Sequence, residues 1–410
     1  MRSLKRICVS CSLIVLSIAI AVGQQPDSFG VNIDFTDPKP GELKMLADAG
    51  LRWARMDFKW DATEYEPGKY DFAAYDRLLL ALEKEHIHAL FILDYGNPLY
   101  DNGAPPRTDR TRQAFTRWGV AAAKHFSGRG VLWELYNEPN HELFWPPRPN
   151  VNEYVKLALV VGKAFQEQTP NEKLIGPATS GIDFEFLETC FKSGLLNYWS
   201  GVSVHPYRRE DPETVASDYQ RLRQLIDSYA VGKPIISGEW GYSTSWENIS
   251  AAKQGELLLR SWLTNAANGI QLSIWYDWKD DGTDPGNPEH NFGIVANAYR
   301  QHAGNPFDPK PAYIAAQSLT GFLTGYKFVG NLPTPYEKVY VLSFKSGDEV
   351  RVAAWTTSQS ESDVVIPLEG AYQAFEYTGR EVGIFRSSQG NLKISLSSTP
   401  VYIKKIHKEM

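Results

Sequence analysis

The chain has 410 residues and a formal net charge of −6, with no run of basic residues of the kind that a nucleic acid or an anionic membrane would need as a partner. Of its three cysteines, Cys8 and Cys11 fall in an N-terminal leader, so Cys190 alone remains, and both an intrachain disulfide and a cysteine-built metal site are excluded. Stability then has to come from a large apolar core, which a chain of this length can bury.

The leader comes first. Arg2, Lys5 and Arg6 precede an apolar run over residues 7–22, and Ala21-Val22-Gly23 offers small residues for cleavage. Residues 1–23 therefore read as a signal peptide. The mature protein is expected to be secreted or periplasmic, monomeric, and off the membrane once the leader is removed. Lipid attachment at Cys11 is the alternative, but Cys8-Val9-Ser10-Cys11 lacks an aliphatic lead and leaves almost no apolar run before it.

From residue 29 to about 325, strand-like runs alternate with helix-length amphipathic segments. The strands are expected at 30–34, 51–57, 88–95, 132–137, 173–177, 201–205, 234–239 and 271–277. Between them the apolar spacing is helical: Phe72, Tyr75, Leu79 and Leu82 share one face, as do Phe115, Trp118, Ala122 and Phe126, then Tyr154, Leu157, Val161 and Phe165. Asn150 and Ser250 suit helix N-caps, while Gly50 and Gly269 suit helix stops. Eight strands, each followed by a helix and none joined to the next by a tight hairpin, predict a parallel (β/α)8 TIM barrel over residues 24–326. An open doubly wound sheet is the other candidate, and the first strand lacks the Gly-rich turn that would favour it. After residue 326 the period shortens. Runs at 339–344, 349–356, 363–367, 372–377 and 393–397, split by Ser346-Gly347-Asp348, Tyr377-Thr378-Gly379 and Gln389-Gly390-Asn391, predict a small antiparallel β-sandwich over residues 327–410, packed on the barrel because no flexible linker precedes it.

Barrel chemistry collects where the strands end. Here the ends carry Arg55 and Asp57, Asp94 and Tyr95, Asn137 and Glu138, His205 and Tyr207, Glu239, and Trp275 with Trp278. Two segments stand out: Trp133-Glu134-Leu135-Tyr136-Asn137-Glu138-Pro139-Asn140 and Ile236-Ser237-Gly238-Glu239-Trp240-Gly241. Each is a strand that stops on a carboxylate and then turns at Pro or Gly. Two carboxylates on one face of a sheet are the minimal equipment for splitting a glycosidic bond, one protonating the leaving oxygen and the other attacking or stabilising the oxocarbenium-like carbon. With 12 Trp and 21 Tyr the chain also has flat faces for stacking on sugar rings, although core packing is the commoner use of any single Trp.

The pattern Asn137-Glu138-Pro139 on the fourth strand, with Glu239 on the seventh, resembles clan A of the glycoside hydrolases, which are retaining (β/α)8 enzymes. His205-Pro206-Tyr207, the Gly238-Glu239-Trp240-Gly241 context and the small C-terminal β-domain look most like family 39, with family 5 as a near neighbour. The resemblance spans the whole barrel. It implies that Glu138 is the acid/base and Glu239 the nucleophile, and that the substrate is a β-linked oligo- or polysaccharide cleaved by double displacement.

The residues then divide the work. Glu138 has to be protonated near neutral pH, so burial and the nearby Glu239 charge are expected to raise its pKa. Arg55 and Tyr207 are expected to hold the Glu239 carboxylate, and Asn137 to bind the sugar 2-hydroxyl. His205 positions Tyr207 or the acid/base, or is a satisfied core histidine. Asp94 is a further substrate-binding candidate. Trp275 is expected to floor the central subsite, with Trp145, Trp278, Trp60 and Trp240 along flanking subsites. That spread predicts endo action in an open groove past both carboxylates, with an exo-acting β-glycosidase as the alternative. The loop 279–292 carries Asp280, Asp281, Asp284, Glu289 and His290. Its spacing does not follow a Ca²⁺ loop, so it reads as solvated. No cofactor is expected, and a metal-dependent hydrolase lacks a histidine ligand cluster on the strands. A silent carbohydrate-binding protein on a barrel scaffold would not need both carboxylates. Inverting chemistry would require them farther apart.

Overall fold

The structure, a computed structural model, describes residues 28–301 and 304–406; the leader 1–23 lies outside them. Eight parallel strands close into a barrel: β1 (Phe29–Asn32), β2 (Trp53–Lys59), β3 (His88–Asp94), β4 (Leu132–Leu135), β5 (Lys173–Ser180), β6 (Gly201–His205), β7 (Ile235–Trp240) and β8 (Leu272–Trp275). Each pairs with its neighbours in sequence, and β1 pairs with β8 to complete the ring. The helices between them bury the faces that the sequence spacing marked. Phe115, Trp118, Ala122 and Phe126 are buried on one helix, and Tyr154, Leu157, Val161 and Phe165 on the next. The capping residues act as expected. The Asn150 side chain accepts from the Asn152 and Glu153 amides, and the Ser250 side chain from the Lys253 amide.

Strand period 2 sorts the barrel side chains into an inner and an outer set. Leu90, Ile92, Ile175, Ile236, Leu272 and Ile274 form an apolar inner plug, with Trp53 and Leu132 against it. Their strand neighbours Ala54, Phe91, Trp133, Val202 and Ile235 face outward into the helix layer. Moving up each strand by two residues, the inner column turns polar: Trp53 leads to Arg55 and Asp57, Ile92 to Asp94, Leu132 to Glu134, and Ser203 to His205. The apolar plug closes one end, and the polar layer above it lies where the strands end.

The C-terminal domain holds a six-stranded antiparallel sheet and a two-stranded one. The expected strands are present. Three more, Lys327–Asn331, Glu381–Arg386 and Val401–Lys405, were not foreseen from the sequence. The larger sheet alternates strictly. Val341, Val352, Ala354, Val401 and Ile403 face the small sheet, whereas Leu342, Phe344, Ala353, Trp355 and Tyr402 join the barrel's core. Tyr402 stacks on Phe322 of the last barrel helix (Pro311–Leu323) with ring centroids 4.3 Å apart. The sandwich is thus docked through its own alternating pattern. No described helix is long and apolar enough to cross a membrane.

Candidate active site

The strand ends open into a cavity of about 660 Å³. Arg55 and Asp57 line it from β2, Asn137 and Glu138 from the turn after β4, Tyr207 from the segment after β6, and Glu239 from β7. The turn after β4 is strained. Tyr136 and Glu138 have φ of 67° and 43°, left-handed values that cost a residue with a side chain about 1–3 kcal/mol. Neighbouring strands hold it in place: the Tyr136 amide donates to the Leu93 carbonyl at 3.1 Å and the Glu138 amide to the Ala178 carbonyl at 3.0 Å. On β7, Gly238 lets the strand lie close against its neighbours. A Cβ there would sit 2.4 Å from Ser203 Oγ and 3.2 Å from Glu134 Oε1, so any larger residue would displace Glu239.

Arg55 is the hub, 1% exposed and with its fork fully committed. Nε donates to Glu134 Oε2 at 2.7 Å, Nη1 to Glu239 Oε2 at 2.8 Å, and Nη2 to Asn137 Oδ1 at 2.8 Å. Burial opposes its charge, but the Glu134 and Glu239 carboxylates outweigh burial and hold its pKa above the ordinary value. Glu239 also accepts from Tyr207 Oη at 2.8 Å on Oε1 and from Asn32 Nδ2 at 3.3 Å on Oε2. Burial and the Glu239 charge push the Tyr207 hydroxyl well up, so it stays a donor. Three donors therefore hold the Glu239 carboxylate in place.

His205, wholly buried, connects the two carboxylates. Arg55 Nη2 lies 3.2 Å from His205 Nε2, and a guanidinium only donates, so Nε2 accepts. The ring proton then sits on Nδ1 and donates to Glu138 Oε1 at 2.8 Å. This bond changes the expectation for Glu138. Burial alone pushes its carboxyl up, but the His205 hydrogen bond, with the charges around it, outweighs burial and holds it below the ordinary value. One oxygen of Glu138, one of Glu239 and a ring nitrogen of His205 lie within 4.8 Å of one another. The group has the count of a metal site. However, the nitrogen facing the carboxylates carries a proton, and the Arg55 cation already occupies Glu239, so its chemistry is that of proton handling.

The structure brings Arg55, Asn137, Glu138, His205, Tyr207 and Glu239 together and leaves six sequence candidates outside. Trp275 is 1% exposed and packs into the helix layer, because Leu272 and Ile274 take the inner positions of β8 and the period turns Trp275 outward. Trp278 is fully buried, its Nε1 donating to Glu42 Oε1 at 2.9 Å. Trp145 is buried between Tyr136 and Tyr154. Trp60 and Trp240 are buried as well. Asp94 lies behind the cavity wall, with no exposed surface. The cavity's aromatic surface comes from other residues: Tyr95 stacked with Phe144 on one side, and Trp246 and Tyr276 packed edge-on against Phe292 on the other.

Asn32 and Trp246 were missed from the sequence. Asn32 is the last residue of β1, and the strand-end reasoning applied to the other strands would have found it; Trp246 lies on a loop with no period to mark it, whereas the loop 141–149, which follows Glu138 directly and is expected on the leaving-group side, brings His141 and Phe144 to the cavity. Among the described residues the loop 279–292 brings no three donors within reach of one ion. Instead Asp280 pairs with Lys310 at 2.8 Å, and Glu289 lines the cavity and accepts from Tyr276 Oη at 3.0 Å.

No protein-family profile matches the chain, and no curated protein sequence does. Solved structures do. A family 39 glycoside hydrolase from Bacteroides cellulosilyticus WH2 is similar at 25% identity with a TM-score of 0.80, over 93% of this chain and 81% of that one. A monomeric β-xylosidase from Caulobacter crescentus CB15 is similar at 18% identity and TM-score 0.67, over 94% and 98% of the two chains. A family 30 endoxylanase from Clostridium papyrosolvens C71 gives 12% identity and TM-score 0.67 over the same shares. The chain has the barrel-plus-sandwich architecture of clan A glycoside hydrolases, with members of families 39 and 30 among its structural neighbours.

Proposed function

We propose that the protein is a retaining β-glycosidase in which Glu239 is the nucleophile and Glu138 the acid/base. The observation that carries this is the separation of the two carboxylates. One oxygen of each comes within 4.8 Å of one of the other's, an approach that supports the spacing of about 5–5.5 Å for double displacement over the about 6.5–9.5 Å of an inverting pair. In the first step Glu239 attacks the anomeric carbon while the Glu138 proton passes to the departing oxygen, giving a glycosyl-enzyme and a free alcohol. In the second, Glu138 takes a proton from water, whose oxygen displaces Glu239 with net retention. Arg55, Tyr207 and Asn32 keep the nucleophile aimed, and Asn137, fixed by Arg55, faces the sugar beside it.

The substrate reading follows the cavity. With Trp145, Trp275 and Trp278 buried, the argument for a long aromatic groove and endo action loses its basis. A volume of about 660 Å³ lies in the small-molecule range of about 300–1,000 Å³. This supports action on short β-linked oligosaccharides or chain ends, with β-xylosides the first to test because a β-xylosidase is among the neighbours. The leader at residues 1–23 supports export.

The test is a panel of aryl β-glycosides and β-linked oligosaccharides with product sizing and proton NMR of the first anomer released. Glu239→Ala is expected to lower kcat by on the order of 10⁵–10⁶, and azide to restore turnover as a glycosyl azide of inverted configuration. Glu138→Ala is expected to spare aryl glycosides with good leaving groups, which need little protonation. Release of the inverted sugar, or equal loss in both variants on an activated substrate, would overturn the mechanism. Early release of long fragments would overturn the chain-end reading.

A further inference from the structure

Beside the reacting pair lies a second pair of carboxyls, Asp57 and Asp94. Asp57 lines the cavity with its side chain 30% exposed. Asp94 sits directly behind it on β3, with no exposed surface. Lys59 of β2 is the register partner of Asp94, and Asp57 lies two residues earlier on the same strand and face. Both Asp94 oxygens are buried and meet no donor group. The carboxyl that Asp94 hydrogen-bonds is that of Asp57. Two carboxylates cannot bond each other, so one of them carries a proton.

The environment decides which one. Asp94 is the more deeply buried, and burial together with the Asp57 charge pushes its carboxyl well above the ordinary range. Asp57 is also raised by burial, but the Lys59 ammonium 3.8 Å away, the Arg55 charge and the Asp94 hydrogen bond favour its ionised form. The proton therefore rests on Asp94, which donates it to Asp57. Arg55 cannot help Asp57, since its fork is used on Glu134, Glu239, Asn137 and His205. Asp57 is left facing the cavity with Asp94 as its donor from behind and the Lys59 ammonium 3.8 Å away.

We propose that Asp57, held in place by the Asp94 carboxyl behind it, is the group that reads a pair of neighbouring sugar hydroxyls on the glycone, away from the reacting carbon. This goes beyond the proposed function by naming a specificity-determining residue, and it rests on that reading only for the ligand being a sugar. Hydroxyls fit the site better than a cationic amino sugar. The shared proton leaves one negative charge on the pair, and Lys59 already faces it, so the site lacks donors more than it lacks charge. A carboxylate accepting from two adjacent hydroxyls is also sensitive to their loss, because the deoxy analogue leaves a buried acceptor unpaired.

The test is binding, so that it does not depend on turnover. Glu239→Gln protein is titrated calorimetrically with the 4-nitrophenyl β-glycosides of xylose, glucose, galactose and mannose, and the tightest of these is then compared with its 3-deoxy and 4-deoxy analogues. At least one deoxy analogue is expected to bind at least tenfold more weakly, and both if the pair is the 3- and 4-hydroxyls. In Glu239→Gln/Asp57→Ala the parent should weaken to the same degree, while the deoxy penalty falls to less than threefold. Asp94→Asn, whose amide can still donate to Asp57, should keep the discrimination, and Asp94→Leu, which cannot, should lose it. A deoxy penalty unchanged by Asp57→Ala would overturn the proposal, as would absence of binding by every sugar or tighter binding of 4-nitrophenyl β-glucosaminide than of any neutral sugar. Hydrolysis that fails in wild type while binding follows this pattern would refute the glycosidase reading and leave this one standing.

Discussion

Two arginines in this molecule sit in nearly the same chemistry and do different things. Arg55 and Arg260 are each 1% exposed, and each is ringed by carboxylates. Arg260 grips Glu213 with two bonds of 2.8 and 2.7 Å, and Glu256 and Asp211 with one each at 3.0 and 2.8 Å. The two buried ones are finished on their other sides, Trp355 Nε1 donating to Glu213 at 2.6 Å and Lys253 and Ser398 to Glu256, while Asp211 sits at the rim with 43% of its side chain in solvent. Arg55 has a comparable ring but an unfinished one. Glu134 Oε1 has no partner, and Glu239 keeps 14% of its side chain open to the cavity. A buried ion pair is weak support for stability in itself, because desolvation offsets most of the attraction. What differs is completion. The ring around Arg260 fastens the sandwich to the barrel, and the one around Arg55 leaves Glu239 oriented and open to the cavity, as the proposed nucleophile needs to be.

The sharpest way to break this comparison is to weaken both hubs in the same way. Lysine keeps the charge but not the planar fork, so Arg55→Lys can hold at most part of the Glu134, Glu239 and Asn137 set. We expect kcat on an activated aryl glycoside to fall by about 10²–10³, the scale for losing a preorganised donor at a developing charge. Arg260→Lys should lower the thermal midpoint by a similar amount to Arg55→Lys, yet keep kcat within about threefold at temperatures where it remains folded. Equal activity losses in the two variants, with both folded by circular dichroism, would show that the two rings are not functionally distinct.

Much of this site was legible in the sequence, and the boundary of legibility has a physical cause. Strand ends can be counted, so Arg55, Asn137, Glu138, His205, Tyr207 and Glu239 fell together once eight strands were placed. Direction is harder to read. Trp275 looked like a floor because it ends a strand, but the inner face of β8 belongs to Leu272 and Ile274, and a shift of one residue turns a side chain to the opposite face. Applying that parity test would have moved Trp275 outward from sequence alone. Trp145 and Trp278 are different. Both lie in loops without a period, where burial depends on partners such as Tyr154 and Glu42 that no local pattern reveals. The lowered Glu138 carboxyl was unreadable for a similar reason. It depends on which His205 nitrogen faces Arg55, a contact across 150 positions of sequence.

That contact gives the second test. The open ring reaches Glu138, the proposed acid, through His205, so its protonation should depend on that contact. With the Glu138 carboxyl held below its ordinary value, the protonated form is lost as pH rises through this lowered pKa, and the basic limb of kcat/KM should lie on the acid side of neutrality. Any stability that the bond contributes has the matching sign: present above the unfolded-state pKa and lost as pH falls through the folded-state value. Replacing His205 with Leu removes the donor and leaves burial to dominate. The basic limb should then move to higher pH by about one unit, alongside a loss in kcat. The Arg260→Lys variant should leave the limb where it is. A limb that stays put in His205→Leu would mean that some other group sets it.

The smallest effect tests whether the closed ring speaks to the open one at all. Glu213 lies six residues after Tyr207, on the segment that also brings Arg208 and Arg209 to the cavity. The sandwich domain reaches that segment through the Trp355 indole, stacked on Tyr340 with its N–H on Glu213. Trp355→Phe keeps most of the aromatic packing and removes the donor. Arg260 still satisfies Glu213, so the expected loss is that of one hydrogen bond to a charged group, about 1.5–3 kcal/mol of stability. If the sandwich only stabilises, kcat at a temperature well below the new midpoint should equal that of wild type. If it also steadies Tyr207 against Glu239, kcat should fall by a few-fold with KM unchanged, because the nucleophile's support matters most as its charge moves to carbon. We expect the second outcome. The path from Glu213 to Tyr207 is short and runs over a segment pinned by Arg208, which donates to the Pro206 carbonyl at 3.2 Å and pairs with Asp218 at 3.1 Å. A kcat identical to wild type would reduce the sandwich to a structural partner and leave the two arginine rings independent.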